Sequence, residues 1–300
     1  METVNSINGG GGKKRFWLRF WDRKRDSRVL KSVAAVIVVI ASVIIVKDEI
    51  MWQFSDFSDE DYSADEIAEE EKDCNVFGIE LHGDLTTYIT PSDSDAGYDQ
   101  SASEDIMYLI ETAEKDENIK AILLEIDSYG GQPVAGEEVS IALKNAQKPT
   151  AVLIRSAGVS AAYLAATGAD KIFASKNSDV GSIGVTMSYL DYSQQNQKDG
   201  LTYNRLSSGK FKDAGDPDKT LTAQETELFM RDVNIMYQNF VNAVARNRNL
   251  DAKKVEILAD GSTMLGEMAL ENGLIDQIGG FPEMEEHLKE KIGQDVEICW

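Results

Sequence analysis

The chain has 300 residues, enough for one domain of moderate size or two small ones, and 42% hydrophobic content with few prolines is ordinary for a globular protein. A formal charge of -22 argues against nucleic acid as a partner, because phosphate binding needs clustered Lys and Arg. Two cysteines and two scattered histidines give no metal cluster, and no cofactor is implied.

The charge is unevenly spread. "KKRFWLRFWDRKRDSRVLK", Lys13 to Lys31, is basic and aromatic, whereas "DEIMWQFSDFSDEDYSADEIAEEEKD", Asp48 to Asp73, is strongly acidic. Between them "SVAAVIVVIASVIIV" is uncharged and, with Val29 and Leu30, approaches the roughly 20 residues that cross a bilayer. Lys31 and Lys47 can snorkel to the headgroups. No small-x-small cleavage site precedes "KDEIMW", so the expectation is an uncleaved, single-pass anchor in the cell membrane. Basic flanks stay inside, which gives a cytoplasmic N-terminus over 1–31, an anchor over 32–47, an acidic tether over 48–73 and an extracytoplasmic domain over 74–300. Cys74 and Cys299 lie near the two ends of that domain and are able to pair in an oxidising compartment, though spacing alone does not show it.

The domain opens on "CNVFGIELHGDL", alternating like a strand, followed by a polar loop, "TTYITPSDSDAGYDQSAS". "EDIMYLIETAEKDENI" has apolar residues at helical spacing, and "KAILLEIDSYGG" is a buried strand ending in two glycines. The beat repeats through a helix in "GEEVSIALKNAQ", a strand in "KPTAVLIRSAG", a helix in "SAAYLAATGA" and a short strand and loop in "DKIFASKNSDVGSIGV". Such alternation predicts an α/β fold with a parallel sheet and flanking helices. After Val185 the pattern loosens into one helix, a strand and a long loop. "AQETELFMRDVNIMYQNFVNAVARNRNL" is then a long amphipathic helix, with a stripe of Leu228, Phe229, Val233, Met236, Tyr237, Phe240, Val241 and Val244 broad enough for a core plus a neighbour. "GEMALENGLIDQIGG" reads as a short helix closed by Gly273, then a strand.

"RSAGVSAAYLAATGADKIFA" places Ser156 and Ser160 among small residues that let backbones approach. A serine is a nucleophile only with a base beside it and donors for the oxyanion. His287 lies in a charged segment and reads as solvated, and His82 precedes Gly83 at a strand end, so a Ser-His-Asp arrangement has weak support. Lysine is the other candidate base, once its ammonium is desolvated, and "SSGKFKDAGDP" offers Lys210 and Lys212. "DSYGG" and the start of "SAAYLAA" both follow strands, where open α/β sheets place their sites.

Taken together, "LEIDSYGG", "KPTAVLIRSAGVSAAYLAATGADKIFASKNSDVGSIGV", "SGKFKDAGDP" and "LADGSTMLGEMALENGLIDQIGG", behind an anchor, resemble the signal peptide peptidase A family, serine peptidases of family S49 with a Ser/Lys dyad. The resemblance runs from about Val76 to Gly280 and implies a ClpP/crotonase-like fold. It makes Ser160 in "VSAAY" the nucleophile, with Ser156 one turn off register, and Lys212 in "KDAGDP" the general base, with Lys210 a decoy. It assigns the oxyanion hole to the amides of Gly130 and Ala161, and a lysine-orienting role to Ser182 in "GSIGV". Ala161 and Ala162 stand where the family has glycines, and Asp127 and Tyr129 replace its Asn and Pro.

The family further implies a homo-oligomeric ring, with each site drawing residues from neighbouring chains. For a chain of this length, serine and lysine are expected within one protomer. The implied substrates are cleaved signal peptides and other short or unfolded peptides. The rival readings are a catalytically silent scaffold of the same fold and a crotonase-type acyl-CoA enzyme, the latter disfavoured by the export signal.

Overall fold

The computed structural model describes Cys74–Thr90 and Asp99–Trp300; the expected basic N-terminus, anchor and acidic tether lie outside the described residues. Among the described residues, no helix is long and apolar enough to cross a membrane.

The fold is α/β, a mixed sheet with flanking helices. Strand β1 (Val76–Thr86) leads through β2 (Gln100–Ala102) into helix α1 (Ser103–Lys115), then β3 (Ala121–Gly131), α2 (Pro133–Asn145), β4 (Thr150–Val159) and the short α3 (Ala161–Ala166). Strands β5 (Lys171–Ala174) and β6 (Asp179–Gly181) follow, then α4 (Ser193–Lys198) and the long α5 (Ala223–Arg248). The chain closes with α6 (Ala252–Leu258), β7 (Thr263–Leu265), α7 (Gly266–Asn272), β8 (Gln277–Ile278), α8 (Phe281–Ile292) and β9 (Ile298–Cys299).

The sheet order is β2-β1-β3-β4-β5-β8, with β6 beside the end of β4, β7 beside β6 and β9 beside β1. All pairings are parallel except β6 with β7. The apolar run of β3 is explained by burial on both faces, as parallel strands require. Ile122, Leu124 and Ile126 join the core beneath α1, α2, α3 and α5, while Ala121 and Leu123 pack with Phe173 and with Met284 and Leu288 of α8.

Helix α5 starts at a capping box in which the Thr222 hydroxyl accepts from the Glu225 amide and the Glu225 carboxylate accepts from the Thr222 amide. Lys219 lies 2.5 Å from that carboxylate and, with the Thr222 bonds, pulls Glu225 down to about 2. Only the C-terminal half of α5 is fully covered: Phe240, Val241 and Val244 are buried, whereas Leu228, Phe229, Val233, Met236 and Tyr237 are half-buried.

Three expectations are corrected. The polar loop after β1 contains the short strand β2, because residues 100–102 pair with Asp84–Thr86. No strand forms between α4 and α5, since residues 199–222 find no sheet edge. His287 is half-buried rather than fully solvated: α8 turns it onto the Phe173 ring, 5.7 Å between centroids, and burial lowers its pKa. Cys74 and Cys299 form a disulfide with Cα atoms 5.6 Å apart, tying the start of β1 to β9.

Candidate active site

Ser160 stands between β4 and α3 with φ 54° and ψ -127°, a conformation that a side chain with a Cβ rarely adopts. Such backbone strain, about 1–3 kcal/mol, persists only where the surroundings over-determine it. The surroundings here are close. The Ser160 amide donates to the Gly181 carbonyl at 2.8 Å, and all of α3 behind it is buried. Gly136 lets α2 approach so nearly that a Cβ there would meet the Ala161 carbonyl at 2.4 Å. The Tyr163 hydroxyl donates to the Leu274 carbonyl at 2.8 Å, anchoring α3 from within the core. Small residues around Ser160 are therefore what allow the turn to be clamped on every side.

Three non-glycine residues with positive φ occur among the described residues: Ser160, Ser182 and Asn249. Asn249 is a helix C-cap, so its conformation has a local reason. The other two are neighbours, because Ser182 follows the carbonyl that receives the Ser160 amide. The Ser182 hydroxyl donates to the Gly261 carbonyl at 2.9 Å, which leaves its lone pairs free to accept from an amine.

The glycine pair at the end of β3 abuts the same turn. A Cβ on Gly130 would lie 2.7 Å from the Ser160 Cβ and 3.1 Å from the Ala161 nitrogen. The Gly130 amide is engaged, donating to the Ser128 hydroxyl at 3.0 Å, while that hydroxyl donates to the Gly83 carbonyl at 2.6 Å. Service as an oxyanion donor thus requires this amide to be shared with, or released from, Ser128. Ala161 opens α3, where first-turn amides have no acceptor within the helix.

Ser160 lines a cavity of about 430 Å³ with apolar walls from Pro133, Val134, Leu164, Met236 and Phe240 and with Glu137 and Arg246 among its polar groups. No lysine or histidine lines it. Lys212 is not among the residues that line this cavity. It is exposed on a turn whose Gly215 packs against Phe229, one α5 residue that lies about 10 Å along the helix from Met236 at the cavity. Lys210 lies over the Phe211 ring at 5.0 Å in a cation–π contact.

His82 is drawn elsewhere. Its Nε2 lies 3.3 Å from the buried Glu125 carboxylate, which also receives Arg155 at 2.8 Å. Ser156 lines a second cavity, with Asp127, Arg155, Ser178 and Phe281, from which Ser160 is absent. Sequence reasoning missed Ser128, whose hydroxyl shapes the glycine loop; its place before "YGG" was the available signal. Among the described residues, no group of three or more His, Cys, Asp or Glu is placed to hold a metal.

Comparison with known proteins agrees with the geometry. The profile of Peptidase family S49 matches residues 142–295. The chain is 35% identical over 173 residues to a candidate protease of Methanocaldococcus jannaschii, covering 57% of this chain and 56% of that one. It is 33% identical over 196 residues to a candidate signal peptide peptidase SppA of Enterococcus faecium, covering 64% and 57% respectively. Protease 4 of Haemophilus influenzae is 26% identical over 205 residues, 67% of this chain and 33% of that one. The matched region thus spans little more than half the length of the first two relatives. A ClpP1 mutant of Listeria monocytogenes has a TM-score of 0.45 at 14% identity, covering 69% of this chain and 92% of that one. With the profile match extending over more than half of the chain, the protein belongs to peptidase family S49.

Proposed function

We propose that this protein is a membrane-anchored serine endopeptidase that cleaves remnant signal peptides and other short or unfolded peptides outside the cytoplasm, using Ser160 as nucleophile and Lys212 as base. The observation that carries this reading is the strained Ser160 at the rim of an apolar-walled cavity, with Ser182 held beside it. The apolar walls suit a small or medium apolar side chain next to the scissile bond. Export is supported by the basic-apolar-acidic order at the N-terminus and by the Cys74–Cys299 disulfide, a bond typical of oxidising compartments.

The site is completed by a second copy of the chain. Lys212 does not line the Ser160 cavity, and the segment that carries it exposes Leu190, Leu201 and Leu206, the last 99% exposed. A ring would cover these side chains and the open half of the α5 stripe, and would desolvate the lysine. The Ser160 Oγ then attacks the peptide carbonyl as its proton passes to the neutral Lys212 amine, which accepts with Ser182 as orienting partner. The Ala161 amide, with an amide of the Gly130 loop, holds the oxyanion. Collapse breaks the C–N bond, the lysine returns the proton to the leaving amine, and water hydrolyses the acyl-enzyme by the same route.

The test uses the full chain in detergent. A fluorophosphonate label should react with the wild type and not with Ser160→Ala, which separates a peptidase from a silent scaffold. Ser160→Ala and Lys212→Ala should each be inactive alone, and mixing them under subunit exchange should restore activity. No restoration, with exchange demonstrated, places both groups in one protomer or removes Lys212 from the mechanism.

A further inference from the structure

The turn that carries Lys212 has a charge problem. Asp213 follows the lysine directly and Asp216 is three residues further on. A carboxylate near an amine favours its ammonium form, which is the wrong form for a base. Yet neither aspartate pairs with Lys212. Asp213 Oδ1 lies 3.1 Å from Arg205 Nε, and its Oδ2 accepts from the Tyr203 hydroxyl at 3.1 Å. Asp216 Oδ2 lies 3.3 Å from the same hydroxyl, and its Oδ1 accepts from the Asp218 amide at 2.9 Å. The single Tyr203 proton is shared between one oxygen of each aspartate, and the buried Asp213 Oδ1 has the Arg205 guanidinium beside it as an ion-pair neighbour but no hydrogen-bond partner.

Arg205 also holds the backbone of the turn. Arg205 Nη2 donates to the carbonyls of Gly209 at 2.7 Å and Lys210 at 2.5 Å, immediately before Lys212. Tyr203 and Arg205 are two residues apart in the irregular segment before the turn. Partial burial and the two aspartates push the Tyr203 hydroxyl up to about 12, so it remains a donor throughout the neutral range. The other charged groups of this loop and of the α5 turns nearest it are Lys210, Asp218, Lys219 paired with Glu225, Glu227, and Arg231 paired with Asp232.

We propose that Tyr203 and Arg205 are positioning residues that clamp the 209–216 turn and occupy Asp213 and Asp216, so that Lys212 is presented to the serine free of its own carboxylate neighbours. The inference rests on the Ser/Lys reading and adds a second condition for an active lysine: desolvation by assembly must be accompanied by sequestration of the adjacent negative charge.

The experiment measures kcat and KM against pH for the full-length chain and for Arg205→Met, Tyr203→Phe, Arg205→Met/Asp213→Asn and Lys212→Ala. In Arg205→Met the freed Asp213 carboxylate stabilises the lysine ammonium, so the acid limb of the profile should move up by about one pH unit and kcat near neutrality should fall about tenfold, with KM little changed. Tyr203→Phe should move the limb the same way by less. Removing the charge in Arg205→Met/Asp213→Asn should return the limb toward the wild-type position, which a merely structural role would not do. An unmoved limb in both single variants, with Lys212→Ala inactive, overturns the clamp and leaves the dyad intact. An active Lys212→Ala overturns the dyad itself.

Discussion

The Ser160 amide donates to the Gly181 carbonyl at 2.8 Å, and this one bond sets the strained serine of the β4–α3 turn beside the strained Ser182 that follows β6. Strand pairing continues up to that point, with Val159 opposite Gly181, so the two serines are delivered by sheet register rather than by loop packing. A site held by a sheet is pre-organised before any substrate arrives.

Ser160→Ala should reduce peptide cleavage by about 10⁴-fold or more in the assembled protein. Ser160→Gly should be equally inactive but more stable. Glycine accepts φ 54° without strain, and relief of about 1–3 kcal/mol is only partly offset by its added unfolded-state entropy. Thermal unfolding of the two variants side by side checks the strain, which is refuted if Ser160→Gly is the less stable.

Gly130→Ala should lower kcat by about 10²-fold or more, since its Cβ would lie 2.7 Å from the Ser160 Cβ and must displace the nucleophile turn or the amide loop. Steady-state kinetics with a fluorogenic peptide give the readout, and near-normal turnover would mean that the loop has freedom the structure does not suggest.

Leu206→Asp should dissociate the assembly and abolish activity while leaving the melting temperature of the protomer unchanged, because a side chain 99% exposed contributes nothing to its own core. Light scattering and activity are measured on one sample. An active, fully assembled variant would place the interface elsewhere.

Cys74→Ser with Cys299→Ser should cost up to about 5 kcal/mol by the chain-entropy argument, since the bridge closes a loop with a sequence separation of 225. Denaturant melts with and without reductant should show the same loss in the wild type and no further effect of reductant in the double variant.

Acid stability should depend on Glu225. Its folded-state value is depressed to about 2 by Lys219 and the Thr222 bonds, so its contribution is complete above the unfolded value of about 4.5 and is lost as pH falls toward 2. Glu225→Gln should therefore be less stable at neutral pH and show a shallower decline between about pH 4.5 and 2. Parallel slopes for the two proteins would remove Glu225 from the acid transition.

The sequence by itself determined the alternation of strands and helices, because a period near 2 or 3.6 and full burial of "AILLEI" are written in neighbouring residues. It also marked the small-residue run holding Ser156 and Ser160, of which the family resemblance singles out Ser160. The tertiary structure decided the partners. His82 went to Glu125, Ser128 to the Gly83 carbonyl, Ser182 to Gly261 and Cys74 to Cys299, each a contact across many residues that no local period encodes. The 185–222 segment shows the limit most plainly. It has no sheet edge to join and little core to fill, so its course follows from Tyr203, Arg205 and the aspartates they hold, side-chain contacts among nearby residues that no hydrophobic period encodes.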